Sequence, residues 1–221
     1  MGKVVVIDGP AGSGKSTTAI ALAEKLGFIY LDTGAMYRAI TVKFLELGIN
    51  DFSDEDNIKE ILDSTNVVLK PHKDSLQVFL DSKDVTEQIR SREVDGFVSE
   101  VSVVGLVRDY MHTQQRKFAG NFNTVAEGRD LGTFVFPDAD VKIFLVADIN
   151  VRAQRRLAQK NASAEKLERV RENLVKRDRI DSSREHSPLK KANDAIEVDT
   201  TDITIDQQVQ KIYEICIRKI K

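Results

Sequence analysis

The sequence predicts an α/β protein: a five-stranded parallel sheet flanked by helices, with a small antiparallel β insertion and a helical arm late in the chain. Three observations predict it. Short apolar segments alternate with segments of helical periodicity, as a parallel sheet buried on both faces demands. The first of them, Val4-Val5-Val6-Ile7-Asp8, runs through a glycine-rich turn straight into a helical pattern. The rhythm breaks once, between Asn66 and Ile89, where partly alternating text replaces it.

The elements follow in order. Val4–Asp8 is β-branched and continuous, a buried strand. A helix covers Thr18–Leu26, and Phe28–Leu31 is the next strand. Met36, Tyr37, Ile40, Phe44 and Leu47 then recur at helical spacing until Gly48. Asn66–Lys70, Leu76–Leu80 and Asp84-Val85, separated by short polar turns, form an antiparallel meander. Thr124–Glu127, Val141–Val146 and Ala195–Val198 complete the sheet. A last helix, Ile205–Ile220, carries the apolar stripe Val209, Ile212, Tyr213, Cys216, Ile220. The chain is read as a single domain, 1–221. Its core is 1–65, 119–149 and 185–221, with an insertion at 66–118 and a basic helical region at 150–184. No internal repeat or low-complexity tract interrupts it.

Composition narrows the function classes. The chain has 221 residues, 41% of them hydrophobic, enough for one sizeable core. Charged residues make up 31%, yet the net charge is −2, so the overall field favours neither nucleic acid nor an anionic membrane. The one cysteine, Cys216, rules out an intramolecular disulfide framework, suits the reducing cytoplasm, and falls in a packing stripe. No apolar run reaches membrane-spanning length, and Met1-Gly2-Lys3 leads directly into a strand. His72, His112 and His186 are scattered, with no metal-ligand spacing among them.

The segment Gly9-Pro10-Ala11-Gly12-Ser13-Gly14-Lys15-Ser16-Thr17 carries the chemistry. G-x-x-x-x-G-K-S between a strand and a helix is a phosphate-binding loop, the P-loop. Its glycines let backbone N–H groups converge on phosphate oxygens, and the helix that follows offers its positive end. Lys15, expected to face solvent, would reach the β- and γ-phosphates, and Ser16 would hold Mg²⁺. The chain is therefore expected to bind a nucleoside triphosphate, and the open question is what receives the phosphate. Active-site loops of parallel sheets lie at the carboxyl ends of strands, so residues 8–16, 32–38 and 127–132 should meet along one edge. Thr33 and Gly34 would cap or turn into the helix bearing Arg38. In the basic region, Arg152, Arg155 and Arg156 share one helical face. Arg177, Asp181 and Arg184 share another if the helix persists toward Ser187-Pro188. Two arginine faces in a nearly neutral chain suit a compact polyanion.

Four motifs in this order resemble the bacterial cytidylate kinase family of P-loop nucleoside monophosphate kinases. They are Ile7–Ser16, Leu31–Arg38, Glu127–Thr133 with Val135–Ala139, and Arg177–Arg184 with Ser187–Leu189. The resemblance covers essentially the whole chain. It implies a P-loop NTPase-type fold, a monophosphate-binding insertion matching 66–118 and a mobile arginine-bearing lid matching 150–184. It implies ATP as donor with Mg²⁺, and CMP or dCMP as acceptor, in a cytoplasmic enzyme taken to be a monomer. Thr33, Tyr37 and Arg38 would line the monophosphate site. Ser99, Arg108 and Asp130 would face the cytosine edge, and Arg129 would help hold the acceptor phosphate. Arg177, Asp181 and Arg184 would contact the acceptor's sugar and phosphate, and Arg155 and Arg156 the donor phosphates. Lys15, Arg129, Arg155 and Arg156 would thus be the catalytic set.

Cytosine offers a 4-amino donor and an N3 acceptor; uracil reverses both. Asp130 accepting and Arg108 donating would therefore reject uracil by leaving polar groups mismatched. Two other functions share residues 4–17. A shikimate-kinase-like enzyme leaves the meander and Arg177–Arg184 without a purpose. A nucleotide-dependent switch requires N-K-x-D and a strand ending D-x-x-G, and the sequence has neither.

Overall fold

The computed structural model describes residues 2–72, 75–159 and 166–220. In chain order the elements are β1 (Val4–Asp8), α1 (Lys15–Leu26), β2 (Ile29–Asp32), α2 (Thr33–Glu46), α3 (Glu55–Asp63), β3 (Val67–His72), β4 (Ser75–Leu80) and β5 (Lys83–Asp84). After them come α4 (Arg92–Val101), α5 (Gly105–Ala119), β6 (Thr124–Gly128), β7 (Val141–Val146), α6 (Ile149–Gln159), α7 (Leu167–Ser183), β8 (Ile196–Asp199) and α8 (Ile205–Lys219). Two compact units result, Met1–Leu31 with Ala119–Lys221, and Asp32–Phe118. Residues 32–65, read from the sequence with the core, cluster with 66–118.

The first unit is built on a five-stranded parallel sheet in the order β2-β6-β1-β7-β8. Strand β1 lies at its centre, so Asp8 stands opposite Gly128 on one side and Phe144 on the other. The core gathers Val5 and Ile7 of β1, Leu22 of α1, Ile143 of β7 and Ile212 and Cys216 of α8. Full burial of such side chains contributes about 1.5–3 kcal/mol each. Cys216 packs as its stripe predicts, and burial pushes its thiol up to about 12.

Local geometry moves several boundaries. Helix α1 starts at Lys15, not Thr18, because Gly14 turns left-handed (φ 93°) as its N-cap and its carbonyl already accepts from Thr18 N at 3.0 Å. Helix α7 ends at Ser183, short of the expected Ser187-Pro188, and Arg184 follows with extended backbone.

In the second unit α2 packs on α4 and β4. Asp32 caps α2, its carboxylate accepting from Ala35 N at 2.9 Å, and Thr33 is the first helical residue. A carboxylate one residue ahead of the helix reaches the amides that Thr33 and Gly34 were expected to serve. Strands β3, β4 and β5 form the antiparallel meander. Its β4–β5 turn places Asp81 and Ser82 at φ 48° and 72°, the left-handed pair that a two-residue hairpin requires. The Asp81 carboxylate offsets that strain by accepting from Asn66 N at 2.8 Å and Lys43 Nζ at 2.7 Å.

Candidate active site

The phosphate loop leaves the carboxyl end of β1 at Gly9. A Cβ there would stand 2.3 Å from the Leu145 carbonyl oxygen, so only glycine lets the chain pass β7. Lys15 does not face solvent, as the sequence suggested. It is 5% exposed, and its Nζ donates to the Pro10 carbonyl at 2.7 Å. Burial, then the nearby charge of Arg129, lower its pKa to about 7. The Ser13 hydroxyl is fully buried and has no hydrogen-bond partner among the described residues. Ser16 and Thr17 are exposed in the first turn of α1. A buried cation, an unused hydroxyl and a helix N-terminus in one loop are the groups that a phosphate receptor requires.

The loop is braced by Arg152, read from the sequence as part of an arginine face, and by three residues to which the sequence assigned no role. Asp178 of α7 accepts from Ala11 N at 3.1 Å, and Arg152 of α6 donates to Ala11 O at 3.0 Å. These two side chains pair with each other at 2.5 Å, which clamps one residue of the loop, Ala11, at both its N–H and its carbonyl. Thr200, after β8, donates to Ser13 O at 3.3 Å, and Gln208 of α8 bonds the Thr18 hydroxyl. Asp178 sits inside the quoted Arg177–Arg184 motif, and that was its only signal. Nothing local marks Thr200 or Gln208, because their partners are more than 180 residues away in sequence.

The second loop follows β6. Both oxygens of the buried Asp8 carboxylate accept from it, Leu131 N at 3.0 Å and Gly132 N at 2.8 Å. Loops 8–16 and 127–132 therefore meet as expected. Arg129 donates Nε to Asp181 at 2.8 Å, Asp181 pairs with Arg184 at 3.6 Å, and Arg184 pairs with Asp130 at 3.3 Å. Burial opposes ionisation of Asp181, but the charge and hydrogen bond of Arg129, then Arg184 and Arg177, hold its carboxyl below the usual range. Burial likewise opposes the Arg129 guanidinium, and Asp181 outweighs it, raising its pKa. Arg177 and Asp181 share a face of α7, as their spacing requires. Arg184 joins them from beyond the helix end through its Nε bond to Ser187 O at 2.7 Å.

In the second unit, Arg38 is bound to Asp95 at 2.6 Å and to Ile89 O at 3.1 Å. Thr33 and Tyr37 are buried on α2, and Ser99 is half-buried on α4. Arg108, 1% exposed, donates to Ser102 O at 3.0 Å, approaches His112 Nε2 at 3.5 Å and lies over the Tyr37 ring at 5.4 Å.

Of the basic region 150–184, residues 160–165 lie outside the described residues. Arg152, expected from its spacing on a face that meets a polyanion, is instead spent on the loop brace, bonded to Ala11 O and Asp178. Arg155 donates to Thr200 Oγ1 at 3.1 Å and Thr200 O at 2.6 Å, and Arg156 to Gln159 at 3.4 Å. Ala11, Ala153 and Leu174 pack together, so α6 and α7 both rest on the phosphate loop.

Among the described residues no cluster of His, Cys, Asp or Glu forms a metal cage. The Ser16 hydroxyl makes no hydrogen bond among them either. One hydroxyl beside a phosphate receptor fits Mg²⁺, which keeps most of its waters and shares phosphate oxygens.

The cytidylate kinase family model matches residues 5–218. A cytidylate kinase from Carboxydothermus hydrogenoformans is 48% identical over 217 residues, 97% of this chain and 97% of that protein. One from Chloroherpeton thalassium is 46% identical over 96% of this chain and 92% of that protein. Among solved structures, an uncharacterized protein from Eubacterium ventriosum aligns over 96% of this chain and 97% of its own, with TM-score 0.52 and 14% identity, a likeness of fold alone.

Proposed function

The chain belongs to the cytidylate kinase family, and from that premise we propose how its residues divide the ATP-dependent phosphorylation of CMP to CDP. The observation that carries the reading is the meeting of the loops that bear Lys15 and Arg129, tied where the Asp8 carboxylate accepts from Leu131 N and Gly132 N. These two cations from separate loops stand close enough that one depresses the other's pKa. An anion between them relieves that repulsion. In phosphoryl transfer the reacting groups are both anionic, so positioning and charge stabilisation are most of what the protein must supply.

In this reading Gly9–Thr17 cradle the ATP phosphates, and Lys15 donates to the oxygens on which charge develops. Mg²⁺, held through Ser16 and phosphate oxygens, would neutralise part of the same charge. Arg129, Arg177, Asp181 and Arg184 bind the acceptor's phosphate and sugar. Thr33, Tyr37 and Arg38 line the monophosphate site, and Ser99, Arg108 and Asp130 face the base. Arg38 exchanges Asp95 for phosphate, and Arg155 exchanges Thr200. Arg155 and Arg156 act on the donor phosphates. No general base is required, because a phosphate monoester dianion is already nucleophilic. dCMP is a second acceptor, and the working form is a monomer in the cytoplasm.

Coupled ADP release over CMP, dCMP, UMP and shikimate tests the reading. Turnover should depend on CMP and dCMP, and turnover with shikimate or without an acceptor overturns it. In the same assay Asp130→Asn should narrow the CMP-to-UMP ratio of kcat/KM, because a carboxamide also donates to O4 of uracil. The variant should also lose about 10-fold or more with CMP, since Asp130 anchors the buried Arg184. An unchanged ratio removes Asp130 from base recognition.

Binding itself should move protons. Without a ligand Lys15 titrates at about 7. A phosphate beside it favours the ammonium, so ATP binding at about pH 8 should take up protons. Titration calorimetry in buffers of different ionisation enthalpy reads this directly, and a heat independent of buffer excludes Lys15 as the group that charges.

A further inference from the structure

The geometry points to Asp8 as a positioning residue that fixes the Arg129–Asp130 turn against the phosphate loop, and so sets donor and acceptor in line. This rests on the assignment of those two loops to donor and acceptor, and extends it to a side chain that contacts neither substrate.

Asp8 is the last residue of β1, and Gly9 opens the phosphate loop. Its carboxylate is 4% exposed and spends both oxygens on consecutive amides, Leu131 N and Gly132 N. Those amides begin the π-helical turn Leu131–Val135 directly after Arg129 and Asp130. One short side chain thus ties the start of one loop to the end of the other. The fit is close: a Cβ on Gly132 would stand 3.4 Å from Asp8 Oδ2 and 3.3 Å from the Lys142 stem.

The chemistry requires a carboxylate. Two N–H donors meet two acceptor oxygens, whereas an asparagine presents one oxygen and one NH₂, and the NH₂ opposes an N–H. A protonated carboxyl has the same defect. Burial raises the Asp8 carboxyl, the two amide bonds pull it back, Asp130 raises it and Lys15 lowers it, which leaves it at about 6. The other charged groups around it are engaged elsewhere. Glu127 of β6 accepts from Tyr30, and the Lys142 ammonium of β7 binds Pro137 O and Asp194.

The tie should therefore loosen as pH falls through about 6. The sign separates this from unfolding. The folded chain holds the Asp8 proton more tightly than an unfolded one, whose aspartate titrates near 3.8. Between those values this group favours the folded state as pH drops. Activity should fall over a range in which Asp8 does not weaken the fold.

The test compares wild type with Asp8→Asn, using CMP and ATP, from about pH 8 to about pH 5. At the alkaline end kcat should drop about 10- to 10²-fold, the scale of a small misplacement of reacting groups, with a smaller change in the KM for ATP. The wild-type advantage should shrink below about pH 6, a ratio that cancels titration of the substrates. Full kcat in the variant, or a ratio flat with pH, overturns the proposal. Hydrogen exchange of residues 129–135 in the wild type covers the case of a variant that does not fold. Leu131 and Gly132 amides should lose protection below about pH 6 after correction for intrinsic rate, and protection held to pH 5 overturns the proposal. Absence of CMP-dependent ADP release in wild type would instead sink the assignment of function, and exchange would still decide for or against Asp8.

Discussion

Lys15→Met should lower turnover by about 10²-fold or more without lowering the melting temperature at neutral pH. The rate loss has the scale of removing one preorganised donor to a transition-state oxygen. The stability result follows from burial. Lys15 sits in the structure with its pKa lowered from 10.5 to about 7, so the folded state binds its proton less well than the unfolded chain does. Near and below pH 7 the ammonium therefore works against folding, and this opposition fades as pH rises toward 10.5. Methionine keeps the aliphatic volume and removes the charge, giving up only the bond to Pro10. Steady-state turnover and thermal melts at about pH 6 and about pH 9 check both halves. The variant's relative stability should be greatest at the lower pH. A near-normal kcat would remove Lys15 from the chemistry, and a melting point well below wild type at pH 6 would mean that the lysine is structural.

Asp181→Ala should be the most damaging single change to the stability of the first unit. Asp181 joins Arg129 and Arg184, so its removal leaves two arginines sharing Asp130 and the Gly128 and Ser187 carbonyls. Removing one partner from a buried ion pair costs on the order of 3 kcal/mol. For a chain of this size that is roughly 6–12 °C in melting temperature. Alanine is the best helix former, so weakened α7 propensity cannot explain such a loss. The pH dependence gives a second check. The Asp181 carboxyl is held below its usual 3.8, so its contribution is complete above that value and disappears as pH falls through its lower folded value. The gap between wild type and variant should close in strong acid. Equal melting temperatures at neutral pH would mean that the pair contributes nothing net.

How much of this was legible in the sequence depends on how local each cause is. The strands of the sheet were readable because β-branched runs such as Val4–Asp8 carry their own signal. The phosphate loop was readable because its glycines, lysine and serine act within a few residues of one another. The turn at Asp81-Ser82 was visible as a break between strands, while its left-handed geometry was not, since neither residue is glycine. Helix starts were displaced by single caps: Gly14 brought α1 forward, and Asp32 took the role expected of Thr33 and Gly34.

What the sequence by itself determined was the α/β class, the antiparallel meander, the glycine-rich loop between β1 and α1 and the motifs that carry the family. Each rests on periodicity or on residues that act on near neighbours. The tertiary structure alone decided which charges are spent on the protein itself. It buried Lys15 beside Arg129, turned Arg152 and Asp178 into a clamp on Ala11, set Arg155 on Thr200 and gave Asp8 its two amides. A charged residue reads the same in sequence whether it faces water, substrate or a partner more than 100 residues away. Only burial and distance fix the strength of its interactions, because the effective dielectric changes several-fold between surface and interior.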